Sequence, residues 1–334
     1  MPKVIITTKQ FAEVSREPID VLEKAGFSVE VKDFDLADSS QENEIIRAIQ
    51  GADLLIATAM FPATRRVSES TKTLKMLAIR SAGFEGADLK AATDNGVLVA
   101  NNPGLNANAV ADMTIGLMLA VSRGIARKDR EMRKGLFIRG DGGDDLFRKT
   151  VGIIGLGNIG KKVAQRLQGF EVKIIANDIV DYPEFKEKYK ITYSSKEELL
   201  KTADLVTLHV PLDDSTRSMI GEERLKMMKP GAFLINTCRG MVVDEQALYK
   251  ALTSGWIAGA GIDVWAQEPT NFKALVALEN VVCTPHYAGG SRQAYHAMAM
   301  ETVRKVITVQ EGKVPAGLLN PEVLKKGTRA KVKG

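Results

Sequence analysis

Short apolar runs alternate along this chain with stretches whose apolar residues recur every three to four positions. In the first hundred residues the runs are VIIT at 4–7, FSVEV at 27–31, LLIAT at 54–58, LKMLAI at 74–79 and VLVA at 97–100. Residues 18–24, 42–49 and 87–93 carry helical spacing between them, and Gly26, Gly51 and Gly96 stand where helix C-caps favour a left-handed residue. Apolar strands separated by helices predict a small parallel sheet covered on both faces. A second, denser series follows, with strands expected at 151–155, 172–177, 205–208, 233–236, 257–263 and 281–284.

Three segments lie outside this alternation. Over 107–123, Val110, Met113, Thr114, Leu117, Met118 and Val121 fall on a largely apolar cylinder, so that helix must be buried, between domains or subunits. The glycine-rich stretch 134–149, which mixes aspartates with basic residues, reads as a loop into the second series. A final helical pattern over 292–310 follows the last strand with no sheet of its own, which predicts its return to the first domain.

A length of 334 residues exceeds what one core organises, and the boundaries expected are 1–101 plus 290–334 for one domain and 102–289 for the other. The net charge of +5 is mild, with basic residues gathered in the tail 325–333. That tail lacks the aromatic interleaving of a nucleic-acid platform and is expected to be solvated and frayed. Cys238 and Cys283 each end an apolar run, which suggests buried free thiols in a reducing compartment. The start shows no apolar leader with a cleavage pattern, and no run of about 20 apolar residues occurs. A cytoplasmic protein with neither membrane nor nucleic-acid partner is the expectation.

The second series opens on VGIIGLGNIG, a strand turning into a helix. Gly155 permits the tight turn, Gly157 lets the backbone approach a pyrophosphate, and Gly160 lets the helix pack close to the sheet. The next strand ends at Asp178, at the spacing of a carboxylate that accepts the adenosine ribose hydroxyls. Its charge repels a 2′-phosphate, so NAD is preferred over NADP.

Three polar groups stand at or just beyond later strand ends: Arg239 after LINTC, Glu268 after GAGIDVW, and His286 after VVCTP. Reducing a 2-keto acid needs a cation to bind the carboxylate and polarise the carbonyl, and an acid to protonate the alkoxide. Arginine supplies a rigid fork, and histidine beside a glutamate carries a proton near neutral pH. His209 is expected to pack beside the nicotinamide ribose or to prop a loop, and His296 to be structural. Three histidines without cysteines at ligand spacing make a metal site unexpected.

With VGIIGLGNIG, TLHVPL and Thr216 downstream, INTCRG, GIDVWAQEP and TPH, the chain resembles the D-isomer-specific 2-hydroxyacid dehydrogenases from Arg80 through His286. The resemblance implies an α/β fold of two Rossmann-like domains, one flavodoxin-like and one NAD-binding, with a cleft between them. It implies NAD-dependent reduction of a 2-keto acid to a D-2-hydroxy acid, with Arg239 polarising substrate and Glu268 holding His286 as acid/base. Cofactor contacts are implied for Gly155, Gly157, Asn158, Ile159, Gly160, Asp178, His209, Pro211, Thr216, Thr237, Cys238 and Asp263. Substrate contacts are implied for Ser81, Ala82 and Gly83 through their amides, and for Arg239 and His286.

Arg80 to Phe84 looks like the D-lactate branch, whereas His286 to Gly290 looks like the phosphoglycerate branch. A D-3-phosphoglycerate dehydrogenase therefore stands as an alternative, as does a dinucleotide-sensing, corepressor-like interaction protein. Met60, Phe61 and Phe84 suggest an apolar substrate lining, while Arg65 and Arg66 are basic candidates for a distal phosphate. Asp112 is expected to be structural, and a homodimer is expected through the apolar helix after Asn106.

Overall fold

The first sheet contains β1 (Lys3–Ile6), β2 (Ser28–Val31), β3 (Leu54–Ala57), β4 (Met76–Ile79) and β5 (Leu98–Ala100), all parallel in the order β2-β1-β3-β4-β5. β3, β4 and β5 are buried at every position, which is why their sequences are unbroken apolar runs. A computed structural model describes residues 1–34, 42–140 and 142–332. It divides the chain into two units, Met1–Asn106 with Ser291–Gly334, and Ala107–Gly290.

In the first unit, Gly26, Gly51 and Gly96 have φ of 87°, 72° and 69°, the left-handed values their helix-end positions call for. The helix Arg292–Gln310 buries Ala299, Val303, Val306 and Val309 in one core with Val4, Leu54 and Met76. The basic tail departs from expectation, because it is docked rather than frayed. Arg329 donates from its backbone to Gly96 O at 2.8 Å and from Nη1 to Thr71 O at 2.7 Å, and Ala330 is buried beside Val323 in the same core. One guanidinium satisfying carbonyls at chain turns anchors a segment that its charge alone marks as solvated; Lys333 lies outside the described residues. Phe61 also departs from its suggested place in a lining. It is 1% exposed and packs on Phe34 with ring centroids 6.3 Å apart, while Met60 and Phe84 are exposed.

The second unit holds β6 (Thr150–Ile154), β7 (Lys173–Asn177), β8 (Thr192–Tyr193), β9 (Leu205–Leu208), β10 (Phe233–Asn236), β11 (Gly259–Ile262) and β12 (Val281–Cys283). All are parallel, in the order β12-β11-β10-β9-β6-β7-β8. From β6 the chain builds outward to β7 and β8, then returns to β9 on the other side. The strand order therefore reverses between β6 and β9, the switch point where open parallel sheets bind ligands. The two-residue edge strand β8 and the polar helix Ile125–Arg133 are too short or too charged to stand out in the apolar pattern.

The apolar helix Ala107–Ser122 is buried within this same unit, against the helix Asn158–Leu167 and strands β10 and β11. Its exposed positions are Asn108, Asp112 and Gly116, and Asp112 pairs with Arg166. Cys238 is buried and Cys283 only partly so; both are free. No single helix among the described residues is long and apolar enough to cross a membrane.

Candidate functional site

At the end of β6 the chain turns on Gly155, whose φ is 93° and whose missing Cβ would meet His209 O at 2.4 Å. Gly160 sits on the first turn of the helix Asn158–Leu167, where a Cβ would meet Gly155 O at 2.1 Å. Gly157 is different, since nothing lies within 4 Å of its Cβ position. Gly157 is the N-cap and supplies no side-chain cap, so the helix N-terminus beginning at Asn158 and Ile159 faces open space with its first amides unspent by a cap. Asp178, just past β7, accepts from the amides of Leu156 and, at 2.8 Å, Val180. An open cradle, a helix N-terminus and a carboxylate at the neighbouring strand end fit a dinucleotide's pyrophosphate and ribose.

Beyond β9, His209 places Nε2 3.0 Å from Thr207 Oγ1, and its Nδ1 is buried without a partner. Burial pulls its pKa down to about 3, so the ring is neutral and does not serve as a proton donor near pH 7. Thr216 Oγ1 donates to Pro211 O at 2.7 Å and accepts from Asp213 N at 2.8 Å, which closes the loop after His209. Past β10, Thr237 Oγ1 lies 3.0 Å from Thr114 Oγ1, and Cys238 Sγ lies 3.1 Å from Asn236 Oδ1. Burial pushes the Cys238 thiol up to about 11, leaving it protonated and unreactive.

Arg239 follows with an extended backbone; its carbonyl accepts from Asn236 Nδ2 at 3.0 Å, and its Nη1 donates to Cys238 O at 2.7 Å. Gly240 then lies so close to the backbone after β11 that a Cβ would stand 1.9 Å from Trp265 C. Glu268 Oε1 accepts from Trp265 N at 3.0 Å, and Oε2 lies 2.7 Å from His286 Nδ1. The carboxylate hydrogen bond raises the His286 pKa above its ordinary value, outweighing burial and the opposing charge of Arg239. Burial pulls the Glu268 carboxyl upward, but His286, the Trp265 amide and Arg239 together bring it below the usual carboxylate value. Arg239, Glu268 and His286 thus sense one another at the ends of three adjacent strands.

His286 has φ of 53°, a left-handed value that is uncommon for a residue with a Cβ. Asp263, with no exposed surface, holds it there. Its backbone carbonyl accepts from His286 N at 2.7 Å, and its carboxylate accepts from Tyr287 N at 2.7 Å, Ala288 N at 2.9 Å and the Thr284 hydroxyl. Sequence reasoning marks Asp263 as a cofactor contact and misses this bracing; a carboxylate within an otherwise apolar strand run is the signal available. Ser81, Ala82 and Gly83 follow β4 in the first unit, and His296, also there, pairs with Glu17 at 3.3 Å.

Residues 115–288 match the family model described as "D-isomer specific 2-hydroxyacid dehydrogenase, NAD binding domain". The chain belongs to this family. It is therefore an NAD-dependent oxidoreductase that interconverts 2-keto acids and D-2-hydroxy acids, with NAD as its cofactor. This dehydrogenase is 39% identical to a glyoxylate reductase of Korarchaeum cryptofilum over 84% of its own length and 86% of that protein's. It is 37% identical to a glyoxylate reductase of Thermococcus litoralis over 97% and 98% of the two chains. Among solved structures, the apo D-lactate dehydrogenase of Escherichia coli superposes with a TM-score of 0.85 at 28% identity, covering 96% of this chain and 100% of that one.

Proposed function

We propose that this dehydrogenase reduces short, unphosphorylated 2-keto acids, glyoxylate foremost. The contact that carries the reading is His286 Nδ1 to Glu268 Oε2 at 2.7 Å, with Arg239 near enough to act on both. Protonated His286, held through Nδ1, presents Nε2 as the donor to the carbonyl oxygen. Arg239 offers its fork to the carboxylate and keto oxygen, and the amides of Ser81, Ala82 and Gly83 take the carboxylate. NADH, when bound, supplies the hydride. Gly157 and the first amides of its helix receive the pyrophosphate, and Asp178 exchanges its backbone partners for ribose hydroxyls. The remaining implied cofactor contacts are His209, Pro211, Thr216, Thr237, Cys238 and Asp263.

The choice of an unphosphorylated substrate rests on the basic candidates. Arg65 is paired with Glu69 and Asp94, and Arg66 with Glu42, so both guanidinium groups are already committed. The glyoxylate reductase relatives point the same way. The free, buried Cys238 fits work in the cytoplasm, and a homodimer is the proposed assembly.

NADH oxidation against glyoxylate, pyruvate, hydroxypyruvate, phenylpyruvate and 3-phosphohydroxypyruvate tests the reading, with chiral analysis of the lactate formed from pyruvate. The expected result is highest kcat/KM for glyoxylate, with pyruvate next, and D-lactate as the product from pyruvate. A kcat/KM roughly tenfold higher for the phosphorylated acid, about 1.4 kcal/mol of extra transition-state stabilisation, overturns the substrate class.

A further inference from the structure

Two asparagines at the end of β5 hold three successive carbonyls after β4. Asn102 Nδ2 donates to Arg80 O at 2.9 Å, Asn102 N to Ser81 O at 3.0 Å, and Asn101 Nδ2 to Ala82 O at 2.6 Å. In a trans peptide the carbonyl and the following N–H point opposite ways. Turning these carbonyls toward the asparagines sends the amides of Ser81, Ala82 and Gly83 outward on the other side. None of the three donates a hydrogen bond among the described residues. Such a row of unspent amides is an anion nest.

The asparagines are themselves gripped by a buried cation. Lys305, 5% exposed on the helix Arg292–Gln310, donates to Asn101 O and, at 2.6 Å, to Asn102 Oδ1. Arg80, also 5% exposed, donates from Nη1 to Gln10 O at 3.1 Å and stacks on the Tyr295 ring at 4.8 Å; its Nε is buried without a partner. Among the described residues, neither cation has a carboxylate within ion-pair distance. Two buried positive charges with no carboxylate in contact, only the more distant Glu13 and Glu301, are costly to a fold unless something else uses them.

We propose that Lys305 is a positioning residue for substrate: it locks Asn101 and Asn102 so that the Ser81, Ala82 and Gly83 amides stay aligned, and with Arg80 it supplies the positive charge that favours a carboxylate there. The ammonium polarises both asparagines, which strengthens the donors that hold the Arg80 and Ala82 carbonyls. This inference rests on the functional reading that those amides take the substrate carboxylate.

The test replaces Lys305 in the full-length protein by methionine, which keeps the stem and removes the charge. With saturating NADH, the KM for glyoxylate and the Ki for oxamate are expected to rise together, roughly tenfold or more, with kcat changed by less than about threefold. The NADH Kd, read by fluorescence, stays at the wild-type value. Asn101→Ala removes the Ala82 clamp alone and moves KM and Ki in the same direction, so it decides the matter if Lys305→Met fails to fold. Folded variants that keep the wild-type KM and Ki overturn the inference, as does a loss confined to kcat and thermal stability. A wild-type protein that neither reduces glyoxylate nor binds oxamate overturns the functional reading along with it; normal wild-type turnover with unaltered variants sinks the clamp alone.

Discussion

Glu268 sets the pH at which His286 titrates. The carboxylate favours the imidazolium, so the His286 pKa lies above its ordinary value. Under the proposed role of His286, keto-acid reduction consumes the protonated ring and should weaken as pH rises through that pKa, whereas oxidation needs the neutral ring and should weaken as pH falls through it. In Glu268→Gln the hydrogen bond survives without the charge, and burial then outweighs the remaining pull of Asp263, with Arg239 acting in the same downward direction. The alkaline limb of kcat/KM for reduction should move to lower pH, and the acid limb for oxidation should move down with it. Parallel pH profiles of the two enzymes check this, and an unmoved limb would assign the titration to another group.

How much of this site is legible in sequence depends on what each residue's neighbours reveal. Gly155, Gly157 and Gly160 are readable because their spacing follows from the turn they make, and Arg239, Glu268 and His286 because each stands at or a few residues past the end of an apolar run. Asp263 and Lys305 are harder, since each is a charged residue inside an apolar element and its partners come from other elements. The backbone conformation of His286 cannot be read at all, because it is fixed by hydrogen bonds to a residue more than twenty positions earlier. Phe61 shows the converse error: an aromatic after a strand reads as lining until its packing on Phe34 is known.

At the scale of elements, long apolar runs announce the strands of both sheets, while composition conceals the rest. The segment 325–332 looks like a solvated tail because lysines outnumber the two residues, Arg329 and Ala330, that dock it. The junction of β10 and β11 is the tightest part of the site. Gly240 passes within contact of the Trp265 backbone, which leaves no space for a methyl group and no flexible side chain to give way. Gly240→Ala should lower unfolding stability by about 1–3 kcal/mol or more. It should also raise KM for the keto acid, because Arg239 must move with its neighbour. Urea denaturation alongside steady-state kinetics checks both; a variant with wild-type stability would mean that the two backbones are free to separate.

For the whole molecule, the dimer expectation rests on a different surface from the one the sequence suggests. The helix Ala107–Ser122 satisfies its apolar face within its own unit. The segment after it does not: Ile125, Met132, Leu136, Phe137 and Ile138 are all exposed, with Phe137 at 70%. Exposed apolar side chains clustered along one segment mark an association surface, and a two-fold copy is the commonest way to cover one. Light scattering at micromolar concentration should give twice the chain mass. The double substitution Phe137→Asp, Ile138→Asp should shift it to the monomer, and a monomeric wild-type protein would remove the assembly.

The ribosome releases the two units out of order. The first sheet is complete when residue 100 emerges, yet its core also requires Ala299, Val303, Val306, Val309, Val323 and Ala330 from the far end of the chain. Between Asn106 and Ser291 lies the whole of the other unit, contiguous and able to close as it is made. At about 5–20 residues per second, those roughly 185 residues leave the nascent sheet waiting on the order of 10–40 s with an apolar face in water. The unit that begins first is thus the one that finishes last, and translation speed through the middle of the message governs how long its unfinished core is open to chaperones or to aggregation.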